Sequence, residues 1–415
     1  MDRRFCPAAS AVLVCASILP TTGCAARPVV QTGIDVLVAE GFGPLKGKRV
    51  GLITNPTGVT WDLRSTADVL HAAGDVRLAA LYGPEHGIRG DVFAGEKVGD
   101  SRDERTGVPV HSLYGKTRKP TPEMLAGLDV LVYDIQDIGS RSYTYISTMA
   151  VAMEAAAENK VAFMVLDRPN PLTGNRVEGR PLDLKYKSFV GYFPIPYVYG
   201  MTCGELARMI NGEGWLAGGI QCDLTVVPMK GWKRAMWFDE THLPWVPTSP
   251  HVPRRDSALF YAATGIMGEL QVLSEGVGYT LPFELAGAPF AKPDEVARAL
   301  NNRRLPGVWF RPLSWKHYYL RDKDAAYGGV QVHITDRDAV DLTAIQFHVM
   351  GVFQRLYPDE PFFGGKRDEM FDKVCGTDRI RRMFLDHAPA DQIVKYWNEG
   401  REEFMTKRTK YLIYR

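Results

Sequence analysis

The sequence predicts an α/β protein, a doubly wound, mainly parallel sheet domain followed by a smaller α+β domain. Three observations carry that expectation. Short apolar runs rich in β-branched residues alternate with amphipathic segments through the first half of the chain, the pattern of strands covered by helices on both faces. Each run opens into a polar loop rich in Gly and Pro. The stretch 243–253 then places four prolines in eleven residues, which resists helix and sheet alike.

The elements follow in order. Arg49-Val50-Gly51-Leu52-Ile53-Thr54 predicts a buried strand, and a helix is expected around Leu63–Ala73, ended by Gly74. Arg77–Tyr82 and Val130–Tyr133 predict further strands. A helix follows from about Thr144 to Glu158, then a fourth strand over Val161–Leu166. Thr202-Cys203-Gly204-Glu205 has the Ser/Thr-x-x-Glu form of a capping box and predicts a helix over 204–211. Residues 33–245 are therefore assigned to the first domain. Trp245 and His251 favour an ordered loop crossing the site over an exposed linker. Residues 254–415 form the second domain, with a mixed segment, a strand over Gly329–Thr335, and helices near 343–356, 366–375 and 390–401.

Composition narrows the function classes. The 415 residues are 45% apolar and 24% charged, which excludes disorder and coiled coil for the bulk of the chain. Lys and Arg number 50 against 48 Asp and Glu, so no global field drives binding to nucleic acid or anionic lipid. Residues 1–26 have the form of an export signal: Arg3 and Arg4, an apolar run over 11–19, and a small-residue exit at Thr21-Thr22-Gly23-Cys24. Gly23-Cys24 resembles a bacterial lipoprotein box in which Cys24 would be acylated, although Thr21 stands where that box prefers Leu. The expected location is exported and periplasmic, with membrane contact only through that anchor. Beyond the signal remain Cys203, Cys222 and Cys375, either one bridge between the first two or buried free thiols.

In an open parallel sheet the loops at the carboxyl ends of the strands share one edge, where ligands bind. Here they are 54–58, 83–90, 134–143 and 167–174. Thr-Asn-Pro-Thr-Gly after the first strand has no GxGxxG and no Walker lysine, and Pro56 lacks an amide for phosphate, so no nucleotide cofactor is expected. Glu85-His86 with Asp134, Asp137, Asp167 and His251 lacks any recognised metal-ligand spacing, so no metal is expected either. Carboxylate acid/base chemistry fits better, with Glu85 and Glu178 as the catalytic pair. Glu178 has the alternative of pairing with Arg176 or Arg180, and Glu85 that of capping a helix. Asn55, His86, Asp134, Gln136, Asp137, Arg141, Tyr143, Asp167, Asn170 and His251 are the expected substrate-binding residues. Arg141 is the natural fork for a substrate carboxylate unless it pairs with Asp134 or Asp137.

The motifs also resemble a known family. They are Gly-Pro-Glu-His-Gly-Ile-Arg-Gly at 83–90, Asp-Ile-Gln-Asp-Ile-Gly-Ser-Arg-Ser-Tyr-Thr-Tyr at 134–145, Asp-Arg-Pro-Asn-Pro-Leu at 167–172, Pro-Thr-Ser-Pro-His at 247–251 and Gly-Val-Gly-Tyr-Thr-Leu-Pro-Phe-Glu at 276–284. In order, they resemble the NamZ-like exo-β-N-acetylmuramidases, glycoside hydrolase family 171. The resemblance implies a Rossmann-like domain joined to a smaller domain with the site between them. It implies release of N-acetylmuramic acid from the non-reducing end of peptidoglycan fragments, with muropeptides or MurNAc-GlcNAc saccharides as partners. It also points to Glu85 as the catalytic carboxylate. The lactyl carboxylate of that sugar would give Arg141 a ligand. Two other readings stay open: a non-catalytic lipoprotein binding wall sugars, and a metal-dependent peptidoglycan hydrolase.

Overall fold

The computed structural model describes residues 29–90, 101–115, 117–319 and 323–415. The export segment 1–26, with Cys24, lies outside the described residues.

Seven strands form the first sheet. After helix α1 (Gly33–Ala39) come β1 (Arg49–Thr54), α2 (Thr66–Ala72), β2 (Arg77–Gly83), β3 (Ser101–Arg102) and β4 (Pro109–Ser112). Then follow α3 (Pro122–Leu125), β5 (Val130–Asp134), α4 (Tyr145–Glu158), β6 (Ala162–Leu166), α5 (Cys203–Gly212) and β7 (Leu224–Val227). The strand order is β3-β4-β2-β1-β5-β6-β7, and every pairing except β3 with β4 is parallel. The apolar runs read as buried strands are buried: every residue of β5, and all of β1 after Arg49. Helix α4 is buried on all sides from Tyr145 to Ala156 because packed elements flank it. This is the expected doubly wound sheet.

The second sheet is smaller and antiparallel, in the order β8-β10-β9, from β8 (Leu285–Ala288), β9 (Val308–Trp315) and β10 (Tyr327–Ile334). The segment left as mixed resolves into α6 (Ser257–Gly268), β8, α7 (Pro293–Asn301) and β9. Helices α8 (Leu342–Leu356), α9 (Asp368–Cys375), α10 (Arg379–Leu385), α11 (Ala390–Trp397) and α12 (Arg401–Arg408) complete the chain. The helix expected over 390–401 is divided before α12 by Gly400, whose φ of 79° is left-handed.

One core joins the two halves: Ile138, Leu172, Tyr197 and Val198 from the first pack with Ala262, Phe347 and Trp397 from the second. The end of the chain returns to the first sheet. Phe404 and Tyr411 join the core beside α4 and α5, and the Tyr414 hydroxyl donates to Asp167 Oδ2 at 2.6 Å. The capping box of α5 forms as read, with Thr202 Oγ1 accepting from Glu205 N at 3.2 Å and Glu205 Oε2 accepting from Thr202 N at 3.1 Å. The three described cysteines, Cys203, Cys222 and Cys375, are buried free thiols.

Candidate active site

The carboxyl edge of the first sheet separates residues that build the frame from residues that face the cleft. Asp134, at the end of β5, is fully buried; Arg168 Nε donates to its Oδ1 at 2.6 Å and Thr66 Oγ1 to its Oδ2 at 2.6 Å. Asp167 accepts from Gly204 N at 2.8 Å, Thr202 Oγ1 at 2.7 Å and the Tyr414 hydroxyl. Only glycine fits at 204, since a Cβ there would lie 2.8 Å from the Asp167 carboxyl carbon. Gln136 Nε2 donates to the carbonyls of Asp137 and Pro169 at 2.8 and 2.7 Å. Asn170 Nδ2 donates to Met201 O at 2.9 Å, and its Oδ1 accepts from Leu172 N at 2.9 Å. These four residues lace the loops to one another. For Asp134, Asp167 and Asn170 the expected role as direct sugar ligands is corrected to that of a scaffold, because neighbouring groups already hold their polar atoms; Gln136 also lines a small cavity with Thr57, Arg168 and Trp245.

Two corrections are larger. Arg141 is fully buried, with Nη1 donating to Arg180 O and Ile195 O at 3.0 and 2.7 Å and Nη2 to Val374 O and Cys375 O at 2.9 and 3.0 Å. It clamps the two halves together and presents no fork to a ligand. Burial pushes its guanidinium down to about 10, still charged at neutral pH. Glu178 is likewise buried: it pairs with Arg176 and accepts from Leu342 N at 3.3 Å and Thr343 N at 2.8 Å, at the start of α8. Its carboxylate caps a helix of the second half, so it is no partner for Glu85. Burial first, and Asp341 second, raise its pKa above the usual carboxylate range.

Glu85 has the opposite environment. It follows β2 in a turn closed by Gly87 N donating to Pro84 O at 3.0 Å, with His86 at a left-handed φ of 72°. It is half-buried. Thr144 Oγ1, the N-cap residue of α4, donates to Glu85 Oε2 at 2.9 Å. That contact brings the carboxylate to the positive end of a buried helix. The Tyr114 hydroxyl also bonds Glu85; burial first and this bond second push the phenol up to about 12. Tyr114 and Thr144 were missed as site residues. Tyr114 follows β4, a strand too short and polar to stand out, and Thr144 announced only a helix start.

Tyrosines wall the space beside Glu85. Tyr143 donates to Thr248 Oγ1 at 2.7 Å, and Tyr145 donates to Thr248 O. The loop 243–253 is thus ordered and reaches the site. Tyr143 packs edge-on against Tyr145 at 4.9 Å and Tyr261 at 5.6 Å. Asp137 lies behind them, with Oδ2 accepting from the Tyr199 hydroxyl and from Gly139 N at 2.7 Å. Asp137 Oδ1 and Asn55 Nδ2 are buried without hydrogen-bond partners, an arrangement that native structures rarely leave unexplained. Burial pushes the Asp137 carboxyl up to about 6, against the bond from Tyr199. His251 stacks on Tyr319 at 5.9 Å, and burial first, then the nearby His86, lower its pKa.

Beyond Tyr261, whose hydroxyl lies 3.0 Å from Ser142 Oγ, opens a cavity of about 460 Å³ lined by Glu269, Glu275, Val277, His317 and Arg367 among others. That size suits a small-molecule ligand. Arg367 Nη2 donates to Glu269 Oε2 at 3.0 Å, and burial raises the Glu269 carboxyl. The structure therefore gathers Glu85, His86, Tyr143 and His251, with Asn55 and Asp137 close behind. Among the described residues no group of three or more His, Cys, Asp or Glu is placed to hold a metal ion.

Comparison with known proteins agrees in both halves. Residues 50–256 match the family model described as exo-beta-N-acetylmuramidase NamZ, N-terminal, and residues 259–414 match its C-terminal counterpart. The peptidoglycan beta-N-acetylmuramidase NamZ of Bacillus subtilis (strain 168) is 49% identical over 390 residues, covering 94% of this chain and 92% of that protein. A DUF1343 family protein from Bacteroides fragilis NCTC 9343 has a crystal structure 52% identical, with TM-score 0.90, covering 94% of this chain and 100% of that one. A second crystal structure of that family from the same strain is 30% identical with TM-score 0.72, over 93% of this chain and 99% of that one.

Proposed function

The chain belongs to the NamZ exo-β-N-acetylmuramidase family, and on that premise we propose that Glu85 is the general acid that frees N-acetylmuramic acid from the non-reducing end of peptidoglycan fragments. The enzyme is a glycosidase whose substrates are peptidoglycan-derived saccharides. The observation that carries Glu85 is its setting: a half-buried carboxylate, oriented by Thr144 and Tyr114, at the loop edge where an α/β sheet binds its ligand. In its protonated form it delivers the proton to the glycosidic oxygen as the bond from C1 to that oxygen breaks. Water then adds to C1 and returns a proton to the carboxylate.

The second group is Asp137. Its unpartnered Oδ1 and raised pKa support a part in orienting the 2-acetamido group, whose carbonyl oxygen would bond C1 as the glycosidic bond breaks; the incoming water would then displace that oxygen from C1 and restore the acetamido group. Asn55, His86, Tyr143 and His251 would hold the sugar around it. The amino-terminal segment 1–26 supports export to the periplasm, with Cys24 as the lipid anchor. Fractionation of cells, with and without Cys24→Ala, tests that placement: loss of membrane association in the variant is expected, and an unchanged distribution refutes the anchor.

The central test is turnover of a chromogenic β-N-acetylmuramide, with the matching β-N-acetylglucosaminide beside it and Glu85→Gln as control. Cleavage of the muramide alone, reduced about 10²- to 10⁴-fold in Glu85→Gln, is expected. Wild-type turnover in the variant refutes the acid role. Binding without turnover by the native protein would favour a wall-sugar receptor.

A further inference from the structure

Tyr319 stacks on His251 of the site, and Tyr318 precedes it in the chain. Both are exposed, at 69% and 43%. Single exposed aromatics are common and mean little. These two differ in being fixed.

Tyr318 N donates to Gly278 O at 2.7 Å, and the Tyr318 ring lies parallel to Tyr279, 5.7 Å between centroids with 5° between planes. Gly278 permits this approach: its φ is +102°, and a Cβ there would lie 2.8 Å from Tyr319 O. The preceding residue anchors the segment, since His317 is buried, lies 2.9 Å from Ser274 Oγ through Nε2, and packs edge-on to Tyr327 at 4.5 Å. The next residue, Tyr319, stacks on His251 with 13° between planes. His251 in turn is influenced by His86, the neighbour of Glu85. Two stacked aromatic pairs, His251 with Tyr319 and Tyr279 with Tyr318, are therefore joined through consecutive residues of one anchored segment.

A pyranose ring presents a face of C–H groups edged by hydroxyls. It matches a flat, preordered aromatic face whose own hydroxyl is wet. An enzyme that removes one terminal sugar encloses that sugar and must let the rest of the glycan leave the cleft across its rim. We propose that Tyr318 and Tyr319 form the subsite for the sugar on the leaving side of the scissile bond, an N-acetylhexosamine stacked on their exposed faces. The inference rests on Glu85 being the catalytic acid, because that fixes where the scissile bond lies. Ordering the rings before binding lowers the entropy lost when the sugar docks.

The experiment compares two substrates that share the muramyl group. One is the MurNAc-GlcNAc disaccharide; the other is a muramyl fluoride, whose leaving group is a single atom. Tyr318→Ala and Tyr319→Ala are expected to lower kcat/KM on the disaccharide about tenfold each, the order of one aromatic stacking contact. The fluoride should stay within about twofold of wild type, a floor set by the limited additivity of such effects. Tyr318→Phe keeps the ring and should keep the disaccharide rate. Equal losses on both substrates, or none on either, overturn the subsite while leaving the muramidase reading intact. A native enzyme that cleaves neither substrate overturns both.

Discussion

Replacing Arg141 by alanine tests whether this arginine holds the fold or the substrate. The side chain is fully buried and donates to four carbonyls, of Arg180, Ile195, Val374 and Cys375, at 2.7–3.0 Å. A hydrogen bond from a charged donor contributes about 1.5–3 kcal/mol net. Four would sum to about 6–12 kcal/mol, but bonds from one group are not additive and water can reach part of the vacated space, so about 4–8 kcal/mol is expected. That is most of the roughly 5–15 kcal/mol that holds a domain folded. Guanidinium chloride unfolding at neutral pH should show a large fall in the midpoint for Arg141→Ala. Arg141→Lys should recover only part of it, because one ammonium cannot span carbonyls from both halves. A variant with the native midpoint and a raised KM for the muramide alone would refute the argument and restore the fork.

Glu178→Ala should destabilise the protein by about 2–4 kcal/mol, since it removes the counter-charge of Arg176 and the acceptor of two amides of α8; thermal unfolding measures this, and kcat per folded molecule should be unchanged. Asp137 sets a pH dependence. Its carboxyl is raised from 3.8 to about 6 in the folded state, so folding takes up a proton between those values. Its contribution to stability is therefore present below about 3.8 and is lost as pH rises to about 6. Asp137→Asn should flatten the fall in stability across that window, and an unchanged slope in denaturation at several pH values would contradict it. Thr144→Val removes the 2.9 Å bond to Glu85 and should cut kcat about 5- to 20-fold, on the order of one charged hydrogen bond. Steady-state kinetics with a melting curve as control would show it; lost stability without lost kcat would contradict it.

The strands around the site were legible because burial on both faces leaves an unbroken apolar run, as in Leu131, Val132 and Tyr133. The loops after them were legible as a site for the same topological reason. Individual roles were not. Asp134, Asp167 and Arg141 carry the same chemistry as ligand-binding residues, and only coordinates show that Arg168, Tyr414 and four carbonyls already occupy them. Glu85 and Glu178 both sat as carboxylates in loops near glycine, with Arg176 and Arg180 beside only the second. They differ in what folds onto them: the start of α8 covers Glu178, while Glu85 meets hydroxyls beside an open cleft. Strand β10 was legible, but β4 and β9 escaped notice because their residues mix polar and apolar types without a clean period, and β8 because Leu-Ala-Gly-Ala is short and lacks β-branched residues.

The return of the chain end to the first sheet constrains the order of events during folding. Tyr414 meets Asp167 across 247 residues of sequence, and Ile413 N donates to Glu205 Oε1 at 2.9 Å across a similar span. During vectorial synthesis the sheet around β6 therefore emerges long before its last hydrogen-bond partners exist. Contacts this distant in sequence slow folding and lengthen the life of partly formed states. A nascent or truncated chain stopping short of Arg408 would keep Asp167 and Glu205 incompletely satisfied in an otherwise formed core.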